Sequence, residues 1–144
     1  GASPLMEASA GEIGLRPAMQ LESRIISTSV VPAGETVGYS ATWRASKDTP
    51  IAVVAIGYGD GYPRHVSSDA FVLINGQRCP LVGRVSMDML TVDISAVPDA
   101  TLETPVILWG RDLPVEWVAR WAGTINYELL CQVTDRVERV YRED

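Results

Sequence analysis

Four short segments of this 144-residue chain carry side chains that could do chemistry. In residues 37–43, Tyr39 lies between Gly38 and Ser40, and such small neighbours leave a phenol ring accessible. An unperturbed phenol has a pKa of about 10, so its phenolate is scarce at neutral pH. A nearby cation would lower that pKa, and the phenolate could then remove an acidified carbon-bound proton. Tyr39 is therefore a candidate general base.

The second segment, residues 57–64, follows an apolar run at residues 51–56 that has the length of a strand. A strand that ends in a glycine-rich turn carrying Tyr58, Asp60 and Arg64 is a common way of presenting side chains at a site. Ordinary turn formation with surface tyrosines explains the same glycines, and the residues alone leave both interpretations open.

In the third segment, residues 83–89, Arg84 and Asp88 lie on either side of Met87. These side chains could line a site. The alternative is an Arg84–Asp88 ion pair that closes a loop over a methionine of the core.

The fourth segment, residues 124–128, places Tyr127 at the start of a predicted helix. Helix N-termini attract anions such as phosphate, and a tyrosine hydroxyl could donate a further hydrogen bond. A capped helix with a tyrosine at an interface is the alternative.

Composition and charge restrict the classes of function. The chain is 47% hydrophobic and 21% charged, as in a soluble globular domain with a real core. We expect no secretory signal, because no n-region followed by an h-region is seen at the start, and no apolar run approaches the roughly 20 residues that cross a bilayer. The net charge of −6, with scattered arginines, argues against nucleic acid and membrane partners.

Cysteine, histidine and lysine are all scarce. The two cysteines, Cys79 and Cys131, form no CxxC pair, so we expect a reducing, cytoplasmic setting, although a disulfide between them stays open. The single histidine, His65, cannot form a His/Cys metal cluster and is a poor basis for a catalytic triad. The single lysine, Lys47, lies in a polar loop, whereas a Schiff-base lysine needs desolvation.

The patterns around these segments predict a mainly β domain, a barrel or sandwich of about seven or eight strands with two short helices. Residues 1–15 have no clear period and are interpreted as a linker or the tail of a preceding domain, with the β domain over residues 16–144. Because the chain begins without methionine, we expect a fragment, a processed chain or an expressed piece of a longer protein.

Individual elements follow from local signals. Residues 19–31 predict a strand with a bulge at 25–26, and Asn75–Gly76 between apolar runs predicts a tight hairpin. The other predicted elements are strands at 37–43, 51–56, 87–94, 106–109 and 137–141, a helix from Pro114 that stops at Gly123, and a second helix at 126–133.

Together and in this order, the segments resemble the C-terminal domain of alanine racemase, a pyridoxal-phosphate enzyme built from a barrel and a β domain. The resemblance runs from about Arg16 to the end of the chain. It is carried by residues 37–43, 57–64, 83–89 and 126–128 and by the hairpin at 72–82. Four separated motifs with consistent spacing make a chance match improbable.

The resemblance implies a role for each matching residue. Tyr39 matches one of two catalytic bases, Met87 a methionine whose backbone helps to hold the substrate carboxylate, and Tyr127 a tyrosine that contacts the cofactor phosphate. The remaining matches line the substrate passage, with Tyr58 at its inner mouth and three residues further out: Arg64, Arg84 and Ile125.

The resemblance also implies an assembly and a mechanism. Family enzymes are head-to-tail homodimers in which the β domain of one subunit offers its tyrosine to the barrel of the other. The lysine that holds pyridoxal 5'-phosphate lies on the barrel, so the isolated chain is predicted to be inactive. The cofactor acidifies the α-hydrogen of alanine, and lysine and Tyr39 exchange that proton on opposite faces, which interconverts L- and D-alanine. D-alanine for the cell wall, or its breakdown, is the implied context.

Two alternatives remain open. One is a broad-specificity amino-acid racemase of the same architecture. The other is a non-catalytic β module for binding or dimerisation, with the tyrosines as interface anchors.

Overall fold

The computed structural model describes all residues except Met6, Tyr39 and Asp144. The described chain forms eight strands followed by two helices. The strands are β1 Leu21–Val31, β2 Thr36–Val37, β3 Trp43–Arg44, β4 Thr49–Val54, β5 Phe71–Ile74, β6 Gln77–Val82, β7 Leu90–Asp93 and β8 Pro105–Trp109, and the helices are α1 Val115–Ala122 and α2 Asn126–Gln132.

Six of the strands close an antiparallel barrel in the order β1-β4-β7-β6-β5-β8, and β2 and β3 pair as a separate two-stranded sheet. The barrel interior is filled by branched aliphatic side chains that solvent does not reach, including Val54, Val72, Ile74, Val92 and Val106. The predicted class, mainly β with two short helices, is confirmed.

The bulge predicted in the first strand is present and allows the barrel to close. The register of β1 against β4 shifts between Ile25 and Ser27. Before the shift β1 pairs with β8, and after it β1 pairs with β4. A bulge bends a strand and increases its twist, so one 11-residue strand can serve both neighbours.

Turn chemistry sets the hairpin between β5 and β6. Ile74 pairs with Gln77, and the two residues between them have positive φ, 50° at Asn75 and 75° at Gly76. Those angles are the ones that a type I′ turn requires, and Asn-Gly tolerates them best. The predicted hairpin is confirmed.

Both predicted helices are also present. α1 follows Pro114 and ends at Gly123, whose φ of 70° is left-handed and whose N–H contacts the carbonyl oxygens of Ala119 and Arg120. The buried face of α1, which includes Val118, packs against the barrel core. No helix of the described chain is long and apolar enough to cross a membrane.

Three predicted strands differ from the structure. The strand expected over residues 37–43 is replaced by β2 and β3, and Tyr39 lies outside the described residues. Residues 87–89 form a turn ahead of β7, closed by the hydrogen bond from the Ser86 N–H to the Met89 carbonyl. Residues 137–141 form no strand, since each barrel strand already has two neighbours and a closed barrel offers no free edge.

Candidate functional site

Two of the four segments lie at the same end of the barrel because of the strand register. The last residue of β4, Val54, pairs with the first residue of β7, Leu90, and the last residue of β6, Val82, pairs with Thr91. The loop that leaves β4 and the loop that connects β6 to β7 must therefore emerge together. We call them the Tyr58 loop, residues 55–64, and the Met87 loop, residues 83–89.

The backbones of these two loops are joined by hydrogen bonds. The N–H of Tyr58 donates to the carbonyl oxygen of Ser86 at 3.0 Å, and the N–H of Gly59 donates to that of Met87 at 2.8 Å. A Cβ on Gly57 would lie 2.5 Å from the Met87 carbonyl oxygen, so only glycine permits the approach. The glycines of the Tyr58 loop thus do more than form a turn.

Asp60 holds the Tyr58 loop in shape. Its Oδ2 accepts a hydrogen bond from the Gly57 N–H at 2.9 Å, and its side chain is mostly buried. The N–H of Asp60 in turn donates to the Gly57 carbonyl at 3.1 Å. These bonds make a compact turn that presents Tyr58 on its outer side.

The residues that flank Tyr39 also approach the Met87 loop. A Cβ on Gly83, where φ is 71°, would lie 3.2 Å from the carbonyl oxygen of Val37, and one on Gly38 would lie 4.0 Å from the Arg84 nitrogen. Tyr39 itself lies outside the described residues, so its side chain is not placed. Its described neighbours Val37 and Gly38 nevertheless approach the same rim.

The predicted substrate-binding and passage residues of the two loops are exposed on this rim. Tyr58 is 39% exposed and Met87 51% exposed. The guanidinium of Arg64 lies 5.9 Å from the Tyr58 ring centroid, and Arg84 is exposed. The alternative of a core methionine beneath an Arg84–Asp88 pair is therefore wrong, because Asp88 pairs with Arg136 instead.

Arg136 is a member of this cluster that the sequence reasoning missed. Its Nε lies 3.3 Å from Asp60 Oδ1, and its Nη2 lies 2.5 Å from Asp88 Oδ1. The hydrogen bond to Asp88, followed by the charge of Asp60, raises the pKa of Arg136 above its ordinary value. No local spacing relates position 136 to positions 60 and 88, so this contact carried no signal in the sequence.

The segment after α2 packs against the Tyr58 loop. The Thr134 N–H donates to the carbonyl of Asp60 at 3.1 Å, and the Thr134 hydroxyl donates to that of Gly59 at 2.9 Å. A Cβ on Gly61 would lie 2.6 Å from the Val133 Cα. The C-terminal end of α2 is thereby fixed to the rim.

Tyr127 and Ile125 lie at the opposite end of α2. Tyr127 is 47% exposed and Ile125 46% exposed. Given the rise per residue, Tyr127 is roughly 8 Å along the helix axis from Gln132. α2 has only seven residues and no side-chain cap, so the phenol is the feature that could bind a ligand. The two side chains border a surface cleft of about 290 Å³.

A buried polar contact attaches the beginning of the chain to both helices. The Ser3 N–H donates to Glu116 Oε1 at 2.8 Å, and the amide of Asn126 donates to the Ser3 carbonyl at 2.7 Å. Ser3, Glu116 and Asn126 are all buried. Asn126, next to Tyr127, therefore positions the start of α2 rather than facing the cleft with a free amide.

These residues fit one part of a pyridoxal-phosphate site. The exposed Tyr127 hydroxyl can donate a hydrogen bond to a phosphate oxygen. Lys47, which could form a Schiff base, is exposed in the turn between β3 and β4, where nothing desolvates it. Among the described residues, the Tyr127 hydroxyl is thus the group that fits a phosphate, and Lys47 does not fit a Schiff base.

Comparison with known proteins shows that the chain is similar to the C-terminal domain of alanine racemases. The model of the family described as "Alanine racemase, C-terminal domain" matches residues 18–141. Alanine racemases of Marinobacter nauticus and Vibrio vulnificus are 55% and 52% identical to this chain over 98% and 99% of its length. The chain spans about 40% of the length of these curated relatives.

Solved structures show the same similarity. The biosynthetic alanine racemase from Pseudomonas aeruginosa superimposes with a TM-score of 0.95 at 51% identity, over 99% of this chain and 40% of that one. The alanine racemase of Acinetobacter baumannii superimposes with a TM-score of 0.90 at 46% identity, over 94% of this chain and 38% of that one. The alanine racemase of Bacillus anthracis with bound L-Ala-P superimposes with a TM-score of 0.84 at 36% identity, over 95% of this chain and 36% of that one.

Proposed function

The chain belongs to the family of alanine racemase C-terminal domains, and from this premise we propose that it supplies the tyrosine base and the substrate passage of an alanine racemase. The observation that carries the proposal is the family match over residues 18–141, together with the convergence of the matching loops on one rim. The reaction is the interconversion of L- and D-alanine. The rim lacks a complete active site of its own among the described residues, which agrees with a domain that completes another surface.

The proposed roles are those that the family resemblance implies for the matching residues. Tyr39 is the base that holds and moves the α-proton on one face of the substrate. The Met87 backbone helps to bind the substrate carboxylate, and Tyr58 narrows the inner passage. The outer passage residues are Arg64, Arg84 and Ile125. The positive charges of the two arginines favour the approach of a carboxylate.

Pyridoxal 5'-phosphate is the cofactor expected from the family, and when bound it acts as the electron sink that acidifies the α-hydrogen. The proposed contribution of this chain is the Tyr127 hydroxyl, which would donate to a phosphate oxygen. Lys47 is exposed to solvent and lacks the desolvation that a Schiff-base lysine needs. A lysine of the barrel would hold the cofactor. The two bases, that lysine and Tyr39, would act on opposite faces.

The proposed partner is the N-terminal barrel of a second subunit in a head-to-tail homodimer. Residues 1–15 would join a preceding barrel to the β domain of residues 16–144, and the buried contact of Ser3 with Glu116 and Asn126 supports a fixed junction. We propose a cytoplasmic location, which the free thiols of Cys79 and Cys131 support.

The test is to compare the isolated chain with the same chain fused to the barrel of a relative such as the Marinobacter nauticus enzyme. We expect no racemisation and no cofactor absorbance from the isolated chain, and both from the fusion. Rates with alanine, serine, lysine and arginine then separate an alanine racemase from a broad-specificity one. A fusion that assembles and binds pyridoxal phosphate but racemises no amino acid would overturn the proposal in favour of a non-catalytic module.

A further inference from the structure

We propose that Arg136 is a positioning residue of the substrate site, because its guanidinium bridges Asp60 and Asp88 and so fixes the Tyr58 loop against the Met87 loop. The inference rests on the proposed function, in which the Met87 backbone holds the substrate carboxylate. Arg136 itself lies outside the segments that carry the proposed roles.

The bridge joins one acidic residue from each loop. Nε of Arg136 lies 3.3 Å from Asp60 Oδ1, while Nη2 lies 2.5 Å from Asp88 Oδ1. Asp60 comes two residues after Tyr58, and Asp88 directly follows Met87. A planar guanidinium can serve two carboxylates in a fixed geometry, whereas an ammonium is a point charge whose donors rotate freely.

The surrounding backbone is shaped to accept this side chain. A Cβ on Gly59 would lie 2.6 Å from Nη1 of Arg136 and 3.0 Å from Cγ of Met87. Thr134, two residues before Arg136, uses both its N–H and its hydroxyl to bind the carbonyls of the Tyr58 loop. The guanidinium therefore enters a space that glycine leaves open, on a segment already tied to that loop.

The solvent exposure of Arg136 and Asp88 indicates that the bridge positions the two loops and adds little to the stability of the fold. The side chains of Arg136 and Asp88 are 50% and 58% exposed, whereas that of Asp60 is 13% exposed. An ion pair between two exposed side chains, as between Arg136 and Asp88, contributes little to the free energy of unfolding. Loss of the bridge should therefore loosen the relation between the two loops without unfolding the barrel.

The effect on catalysis should appear mainly in binding. If Met87 holds the carboxylate equally in the ground state and the transition state, its displacement weakens both, which raises KM and leaves kcat nearly constant. In the full-length enzyme we expect Arg136→Ala to raise the KM for alanine about tenfold and to change kcat less than about threefold. Arg136→Lys, which keeps the charge and can reach one carboxylate, should recover part of the loss.

A matched control is available on the same segment. Arg139 is also exposed, and its Nη2 lies 4.0 Å from Asp135 Oδ1. Arg139→Ala should leave KM and kcat unchanged. Guanidinium ions, added at concentrations well below those that unfold proteins, should lower the KM of Arg136→Ala and not that of Arg139→Ala.

Hydrogen exchange supplies a readout that does not depend on activity. In the full-length protein, the Gly59 N–H, which donates to Met87, should exchange about tenfold faster in Arg136→Ala than in Arg139→Ala. Unchanged exchange, or an unchanged KM in an active and folded Arg136→Ala enzyme, would overturn the inference. An inactive wild-type enzyme would overturn the proposed function and the substrate role, whereas the exchange rates would still show whether Arg136 holds the loops together.

Discussion

The backbone N–H of Gly59 donates a 2.8 Å hydrogen bond to the carbonyl oxygen of Met87, so two loops from different strands form one unit on the barrel rim. A site whose parts are fixed to one another before a ligand binds loses less freedom when the ligand arrives. A change in either loop should therefore alter the other.

Substitution of Gly57 by alanine tests this coupling directly. The added methyl would lie 2.5 Å from the Met87 carbonyl oxygen, and the atom it meets is backbone rather than a flexible side chain. We expect the free energy of unfolding to fall by about 1–3 kcal/mol, and the KM for alanine to rise. Urea unfolding and steady-state kinetics of the full-length enzyme measure the two effects.

Gly11→Ala is the matched control, because nothing lies within 4 Å of its added Cβ. Equal unfolding midpoints for wild type, Gly57→Ala and Gly11→Ala would show that the loops can separate without cost, contrary to this account.

Local signals were enough to predict most of the barrel. The hairpin at Asn75–Gly76, the bulge near Ile25 and the end of α1 at Gly123 depend on neighbouring residues, and all three are where the patterns placed them. The mainly β fold class could be predicted because strand periodicity and turn residues agree along the chain.

Long-range contacts could not be predicted in this way. The apolar residues Val137, Val140 and Tyr141 predict a strand, but such a local pattern does not show whether a barrel edge is free. The pairing of Arg136 with Asp60 and Asp88 joins distant parts of the chain, so no spacing reveals it. The proposed site residues and their roles come from the family resemblance, which depends on several separated motifs together.

Tyr39→Phe in the full-length enzyme tests the proposed base. Removing the hydroxyl should reduce racemisation in both directions by about 10²–10⁴-fold, the usual contribution of a general base. In deuterium oxide, one enantiomer of alanine should still exchange its α-hydrogen, because the base on the other face remains. Proton NMR of each enantiomer measures this difference.

Tyr141→Phe provides the control, since Tyr141 is 90% exposed and has no role in the proposal. Its rates should equal those of the wild type. If Tyr39→Phe racemises alanine at the wild-type rate, Tyr39 has no part in the proton transfer.

The contact between Ser3 and the helices predicts a role in stability and cofactor retention. Asn126→Ala would leave the buried Ser3 carbonyl without its 2.7 Å partner, at a cost of about 1–3 kcal/mol. Because Tyr127 is the next residue, the dissociation constant of pyridoxal phosphate from the full-length enzyme should also rise, as measured by absorbance titration. Gln132→Ala, which removes only an exposed hydrogen bond to Glu128, should change neither quantity. Identical behaviour of the two variants would show that the contact is dispensable.

The final prediction concerns alkaline pH and Cys79. Burial, and to a lesser extent the charge of Asp93, raises the pKa of the Cys79 thiol from its ordinary value of 9.0 to about 11. The folded state therefore keeps a proton that the unfolded state loses as pH rises above 9. Stability contributed by the neutral thiol is present below that pH and declines by up to about 1.4 kcal/mol per pH unit, or roughly 2–3 kcal/mol by pH 11.

Cys79→Ala removes this titration, so its free energy of unfolding should fall less steeply between pH 9 and 11 than that of the wild type. The comparison uses slopes, because the loss of a buried sulfur lowers stability at every pH. Burial raises the pKa of Tyr62 as well, and that contribution to the alkaline slope is common to all the proteins compared. Cys131→Ala removes an exposed thiol and should keep the wild-type slope. Parallel slopes for wild type and Cys79→Ala in urea unfolding across this range would contradict the prediction, because a thiol that ionises equally in both states contributes no pH dependence.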